Sequence, residues 1–423
     1  LQILNTQKIM KKIYTLFTIA ILGSIEVFAQ CNGRYQTNIY TTVDVTTVQY
    51  GSNMDLNNNV IDLFMDIYQP QGDTATSRPL VIFAHGGSFS GGSRSSAELV
   101  HFATELAKKG YVCASISYRL APSAFSLLAE ETTFKVVFGA IQDGKAAIRY
   151  FRSDAANANL YKIDEEQIFI GGTSAGGILA FNLVYGDDVN KLPTQWQTWL
   201  GEIGGLEGSS GTPGYCSRAA GTFGFAGGVA DTAWIDGNDV PLYACHTYGD
   251  QTVLYNYGQP LNGFTPVNLY GSGPINTRMD GQGIYNHLDP YTGSDHPPFA
   301  NSTPILDTTN TNLTTFLYNI LDCNPSNLKN PNQKDCSTFV GVNEFVKNNI
   351  ELLVYPNPAI EFITIDLKEM NSVNNVVEIT NTLGQVVFTQ TLNENMLKVN
   401  VSGFPNGAYI VNVNGVSQLF IKK

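Results

Sequence analysis

The stretch Gly172-Thr173-Ser174-Ala175-Gly176 sets a hydroxyl among small residues, where an apolar run stops and a helical pattern begins. Small residues there let a strand and a helix meet closely, and a serine held in so tight a turn projects its hydroxyl above the sheet. That is the setting of a nucleophile, and the helix start beneath it favours negative charge. The pentapeptide alone is no more than a Gly-Ser turn; the strand before it and the helix after it point to the nucleophile.

Such a serine needs donors for the oxyanion it creates. His85-Gly86-Gly87 closes the apolar run Leu80–Ala84, and Gly91-Gly92 follow. This turn lies one strand–helix–strand unit upstream of Ser174, where oxyanion donors of this kind belong. The N–H groups of Gly86 and Gly87, with that of Ala175 opposite, are the expected donors. The alternative is a glycine-rich turn with no further role.

A base must take the serine proton, and a carboxylate must orient that base. The chain has 5 histidines. His85 belongs to the glycine turn, His101 falls within an amphipathic helical pattern, and His246 stands near a strand end where it would be buried. His287 and His296 remain. His296 is favoured, because Gly-Ser-Asp-His-Pro is a loop before an apolar helix and can reach over a sheet. For the acid, Asp250 leaves the strand run "VPLYACHTYG" directly and keeps the order Ser…Asp…His. Asp231 and Asp289 are its rivals.

The surrounding pattern must hold these groups. "RPLVIFA", "YVCASISY" and "EQIFIGG" are apolar throughout and alternate with helical stretches, "SAELVHFATELAKKG", "FKVVFGAIQDGKAAIRYFRS" and "AGGILAFNLVYG". Strands buried on both faces between helices predict an α/β fold, a mostly parallel sheet with helices on both faces. Residues 38–70 alternate apolar and polar, and predict antiparallel edge strands ending at Pro70. "AAGTFGFAGG" and "VPLYACHTYGD" predict further strands. Residues 323–349, rich in Asn, Lys and Pro, read as a linker. Short alternating runs from 350 to 423 predict a small all-β sandwich.

The bulk properties agree with an enzyme-sized globular chain. It has 423 residues, 43% hydrophobic and 14% charged, so more than one folded unit is expected. A net charge of −12 without a basic cluster argues against a nucleic-acid partner. From Met10, Lys11-Lys12, an apolar stretch and Val27-Phe28-Ala29 form a secretory signal pattern too short for a comfortable membrane span. Residues 1–29 are therefore expected to be an upstream extension and signal peptide. The mature chain is expected to start near Gln30, with no stable membrane span, and residues 30–322 to form the catalytic unit. An exported chain permits disulfides, and Cys323–Cys336 is the expected pair. Cys113 reads as a buried thiol, and no cysteine or histidine spacing suggests a metal.

Taken together, these motifs resemble the carboxylesterases of the α/β-hydrolase superfamily that carry His-Gly-Gly and Gly-x-Ser-Ala-Gly-Gly. "SYRLAP" at 117–122, "AIQDGKAAIRYFR" and "HTYGDQTV" around Asp250 extend the resemblance over about residues 40–322. It implies an ester-cleaving triad of Ser174, His296 and Asp250, and neither metal nor organic cofactor. Ser88 stands where many relatives have a third glycine. Residues 186–220 read as an insertion. A second excursion, 255–295, is rich in Tyr, Gly and Asn; its rings form either a substrate wall or ordinary loop packing. The tail, from "LLVYPNP" through "NTLGQVVFTQ" to "IKK", resembles the sorting domain of the type IX secretion system. It implies the secretion machinery as a partner and a secreted or surface-attached location.

The expected activity is that of a secreted serine esterase acting through an acyl-serine on an extracellular ester of a polysaccharide, lipid or polyester. Two alternatives stay open: a non-catalytic binding protein on a hydrolase scaffold, and a serine peptidase.

Overall fold

The computed structural model describes residues 31, 33–336, 351–368, 375–381, 385–392, 396–413 and 416–423. They fall into two compact units, divided between Glu344 and Phe345. The N-terminal signal pattern lies outside the described residues.

In chain order the first unit contains β1 Val43–Met54, β2 Val60–Pro70, β3 Arg78–Ala84, α1 Ala97–Lys108, β4 Val112–Ile116 and α2 Glu130–Ala156. There follow β5 Ile163–Thr173, α3 Ala175–Tyr185, α4 Thr194–Glu202, β6 Gly221–Phe225, β7 Gly228–Val229 and β8 Leu242–Thr247. The last elements are β9 Tyr257–Gly258, β10 Leu269–Gly271, α5 Ser272–Gln282, β11 Asn286–Tyr291 and α6 Thr303–Asn319. One sheet runs β1-β2-β4-β3-β5-β6-β8-β11. β2 is antiparallel to both its neighbours, and the pairs from β4 through β11 are parallel. This is the mixed, mostly parallel sheet of an α/β-hydrolase, with the antiparallel hairpin at its edge.

Why the central strands read as unbroken apolar runs is visible in β3. Leu80, Ile82 and Ala84 enter one core, with Ile141, Ile148 and Leu179 from α2 and α3. Val81 and Phe83 enter the other, with Phe102 of α1 and Phe316 of α6. Successive strand residues point to opposite faces, so a strand covered on both faces has no polar side. The edge strand β1 is mostly exposed instead, and of its residues only Tyr50 is buried.

Three expectations change. Cys323 pairs with Cys31, and Cys336 pairs with Cys216, so the expected Cys323–Cys336 bond is not formed. Closeness in sequence was the wrong guide: the fold carries each cysteine to a partner 292 or 120 residues away. The segment read as a linker is in its first part fastened to the first unit. Asn330 donates to the carbonyls of Gly237 and Asp239, and Lys334 pairs with Asp187 at 2.8 Å. Finally, the excursion 255–295 is partly regular structure, holding α5 and the edge strand β11. Pro290 in β11 hid that strand, since proline is tolerated only at sheet edges. Cys113 is a buried thiol, as is Cys245.

The second unit is all β. β12 Glu351–Tyr355, β13 Phe362–Lys368 and β16 Met396–Asn400 form one sheet, ordered β12-β13-β16. β14 Asn375–Asn381, β15 Val386–Leu392, β17 Gly407–Val413 and β18 Val416–Lys422 form the other, ordered β15-β14-β17-β18. Both contribute to one core, with Ile363 and Ile365 against Val377, Ile379 and Val411. Tyr409 and Phe420 stack inside it, whereas Tyr355 and Phe362 stay exposed at 43% and 39%.

Candidate active site

Ser174 sits between the end of β5 and the start of α3, with φ 54° and ψ −115°. A non-glycine residue in that region costs roughly 1–3 kcal/mol and persists only where its surroundings impose it. Here they do. The Ser174 N–H donates to the Phe225 carbonyl at 2.8 Å. A Cβ on Gly172 or Gly176 would lie 2.1 or 2.0 Å from the Ala84 carbonyl oxygen, so β5 and α3 reach β3 only because both residues are glycine.

The next residues arrive from loops beyond the sheet. His296, in the loop between β11 and α6, places Nε2 2.7 Å from Ser174 Oγ. Its Nδ1 lies 2.6 Å from Oδ2 of Asp250. Asp250 follows β8 and is buried. Its Oδ1 accepts the N–H groups of Thr252 and Val253 at 2.8 and 3.1 Å. Burial pushes this carboxyl up, but hydrogen bonds from His246 and then His296 outweigh it and hold the carboxyl at about 2. The structure therefore brings Ser174, His296 and Asp250 into one hydrogen-bonded line.

The rivals stand apart from that line. His287 bonds Asp289 at 2.9 Å, near Tyr243 and Asn312. Asp231 caps a short helical turn by accepting the Ala233 N–H. His85 is buried and stacks on Tyr118, its Nδ1 2.7 Å from the Gly86 carbonyl oxygen. Burial lowers its pKa, consistent with a neutral ring that shapes the turn. His101 lies on α1, 3.9 Å from Asp307.

One member was missed. His246, at the end of β8, is fully buried and places Nε2 2.8 Å from the Val253 carbonyl and 3.3 Å from Asp250 Oδ2. Its Nδ1 is 2.9 Å from Ser272 Oγ. Both atoms facing Nε2 are acceptors, so Nε2 carries the proton and Nδ1 accepts from Ser272. The Nε2–H goes first to the Val253 carbonyl and is shared with Asp250 as a longer fourth contact, beside the donors Thr252, Val253 and His296. The sequence places His246 only near a strand end, and the turn after β8 is what brings it to Asp250.

The glycine turn lies against the serine. A Cβ on Gly86 would stand 3.4 Å from Ser174 Cβ. Gly87 has φ 119°, and a Cβ there would strike the Gly91 carbonyl, so the turn requires glycine. The N–H groups of Gly86 and Gly87 donate to no acceptor among the described residues. Ala175 is the first residue of α3, where an N–H has no partner within the helix.

Ser174 also opens onto a narrow cavity of about 80 Å³. Phe134, Val137 and Phe138 of α2, Ile178 of α3 and Trp196 of α4 line it. So α4, inside the insertion 186–220, contributes a wall. The rest of that insertion is tied to α2: Glu207 meets Lys145 and Arg149 at 2.7 Å. From the excursion 255–295 the wall takes Pro260, Leu261, Thr265, Val267 and Leu269. Of its tyrosines, Tyr257 pairs with Tyr270 at 4.5 Å, Tyr255 with Tyr248 at 4.7 Å and Tyr285 with Phe316 at 5.7 Å.

Residues 65–202 match the family BD-FAE, and residues 353–423 match the Secretion system C-terminal sorting domain. No curated protein matches the chain. Among solved structures, esterase 2 of the planctomycete Thermogutta terrifontis with propionate bound is similar at 18% identity and TM-score 0.44, covering 64% of this chain and 92% of that one. The same esterase with butyrate bound is similar at 20% identity and TM-score 0.44, with coverage of 64% and 92%. The chain thus has the fold of an esterase-like α/β-hydrolase, with residues 65–202 matching the BD-FAE family and residues 353–423 matching a type IX secretion sorting domain.

Proposed function

We propose that this protein is a secreted serine esterase that hydrolyses carboxylic esters through an acyl-Ser174 intermediate. The unbroken line Ser174 Oγ, His296, Asp250 carries the reading. Asp250 accepts the Nδ1–H of His296, which leaves Nε2 with the lone pair facing the serine hydroxyl. As Oγ attacks the ester carbonyl, Nε2 takes its proton. The oxyanion meets the N–H groups of Gly86, Gly87 and Ala175. The imidazolium then protonates the departing alcohol, and the acyl-serine remains. Water, deprotonated by the same Nε2, releases the acid and restores the serine.

His246 supports this arrangement as a positioning residue. It holds the second face of Asp250 Oδ2, so that the carboxylate stays aimed at His296. The C-terminal sorting domain directs the protein through the type IX pathway to an extracellular or cell-surface location. The N-terminal segment from Met10 is read as the signal for the first membrane, to be tested by N-terminal sequencing of exported protein. A start near Gln30 supports that reading, and retention of Met10 overturns it.

A fluorophosphonate probe tests the whole proposal. Wild-type protein is expected to be labelled on Ser174, and Ser174→Ala to lose both the label and turnover of p-nitrophenyl esters while keeping its circular dichroism. Retained turnover in that variant overturns the mechanism.

A further inference from the structure

The cavity beside Ser174 has a chemical polarity of its own. Its outer polar residues belong to the reacting end: Ser88 follows Gly87 directly, and Thr252 stands two residues from Asp250. The other polar side chains of the lining are already engaged, Thr265 Oγ1 with the Pro260 carbonyl at 3.5 Å. Thr133 Oγ1 donates to the Leu127 carbonyl at 2.8 Å. Asn182 donates to the carbonyls of Ile178 and Gly228 and accepts the Ala230 N–H. Trp196 Nε1 donates to Glu130 at 2.9 Å. What faces the empty space is hydrocarbon, from Phe134, Val137, Phe138, Ile178 and Leu269. The mouth continues the same chemistry. Phe125, 76% exposed, meets Phe264 at 6.4 Å across the two segments that supply Leu127 and Leu261 to the wall.

We infer that this cavity binds an unsubstituted hydrocarbon group of the ester, an alkyl chain or a bare aromatic ring, and discriminates against acetyl groups and against rings bearing hydroxyls. The inference rests on the serine-esterase reading and names its substrate class. A ring hydroxyl carried in against a wall whose free surface is almost all hydrocarbon would lose bonds to water that the wall does not replace in kind. Each methylene that enters leaves water, at about 0.8 kcal/mol, which is about fourfold in kcat/KM. The acyl and alkoxy halves of the ester are separate arms of the test.

Wild-type enzyme is assayed with p-nitrophenyl acetate, butanoate and octanoate, then with ethyl, butyl and octyl acetates. Methyl cinnamate is compared with methyl 4-hydroxycinnamate. In at least one series kcat/KM is expected to rise about fourfold per methylene until the cavity is full. The unsubstituted cinnamate is expected to be preferred by roughly tenfold or more. Val137→Trp, which fills the wall, is expected to lower the octanoate-to-acetate ratio by at least about tenfold. Preference for acetyl and ethyl groups in both series, or equal use of the hydroxylated cinnamate, overturns the inference while labelling of Ser174 keeps the esterase reading. Absence of labelling together with absence of turnover overturns both.

Discussion

Asp250 and Asp239 are two buried carboxylates in one unit, and they are driven in opposite directions. Asp250 receives N–H donors from Thr252, Val253, His296 and His246, and its carboxyl is held at about 2. Asp239 receives the Asp236 N–H at 2.7 Å, and burial pushes it up to about 7. Its other close charges are mixed, Asp187 and Asp236 against Lys334. Burial alone disfavours charge in both places; the number of donors decides which carboxylate stays ionised. A residue that must orient an imidazole has to be the ionised one, and the fold spends four donors on it.

The comparison can be broken most sharply at its functional end. Asp250→Asn is expected to lower kcat by on the order of 10⁴-fold, because the imidazole loses the acceptor that fixes its tautomer. Asp239→Asn is expected to leave kcat unchanged. Activity loss of similar size in both variants would remove the contrast.

The same pair separates in stability against pH. Asp239 has a folded value raised to about 7 from an ordinary 3.8, so below pH 3.8 both states are protonated and it costs nothing. As pH rises through about 7 the unfolded state gains from ionising first, and stability is lost. Asp239→Asn is therefore expected to raise unfolding free energy by roughly 2–4 kcal/mol at pH 8 and by little at pH 4. Asp250 runs the other way: its contribution is present above pH 3.8 and is lost as pH falls toward about 2. Urea titrations at pH 3, 4 and 8 measure both signs, and a gain independent of pH in the Asp239 variant contradicts the assignment.

His246 tests how many of the four donors matter. His246→Ala is expected to lower kcat about 10- to 100-fold with KM little changed, the size of one hydrogen bond to a charged group. His246→Gln, which keeps a donor near Nε2, is expected to recover part of the loss. A fall in folding stability with kcat intact would reduce His246 to packing. The smallest effect concerns the cover over Asp239. Asn330 and Lys334 lie in the segment that Cys216–Cys336 fastens. Replacing that cysteine pair with serines is expected to admit water and shrink the pH 8 gain of Asp239→Asn.

How legible was this site beforehand? The turn around Ser174 was readable, because its constraints lie within a few residues: two glycines, an apolar strand and an apolar helix. His296 and Asp250 were reached by order and position, since each follows a recognisable strand or precedes a recognisable helix. His246 was not readable as a partner of Asp250. Its burial was expected, but a bond at 3.3 Å between side chains four residues apart depends on how the chain turns after β8. The disulfides failed for a related reason, because nearness in sequence says little about Cα positions once a sheet has formed.

Local chemistry, then, was settled by the amino-acid order alone: which residues turn, which strands are covered on both faces, and where a serine could be strained. Those properties depend on backbone sterics and on side-chain alternation over a few positions. Tertiary structure alone decided the cysteine partners, the fourth donor on Asp250, and the hydrocarbon wall drawn from α2, α4 and the segment 260–269. These require distant segments to meet in three dimensions, and their meeting is set by the packing of the whole unit.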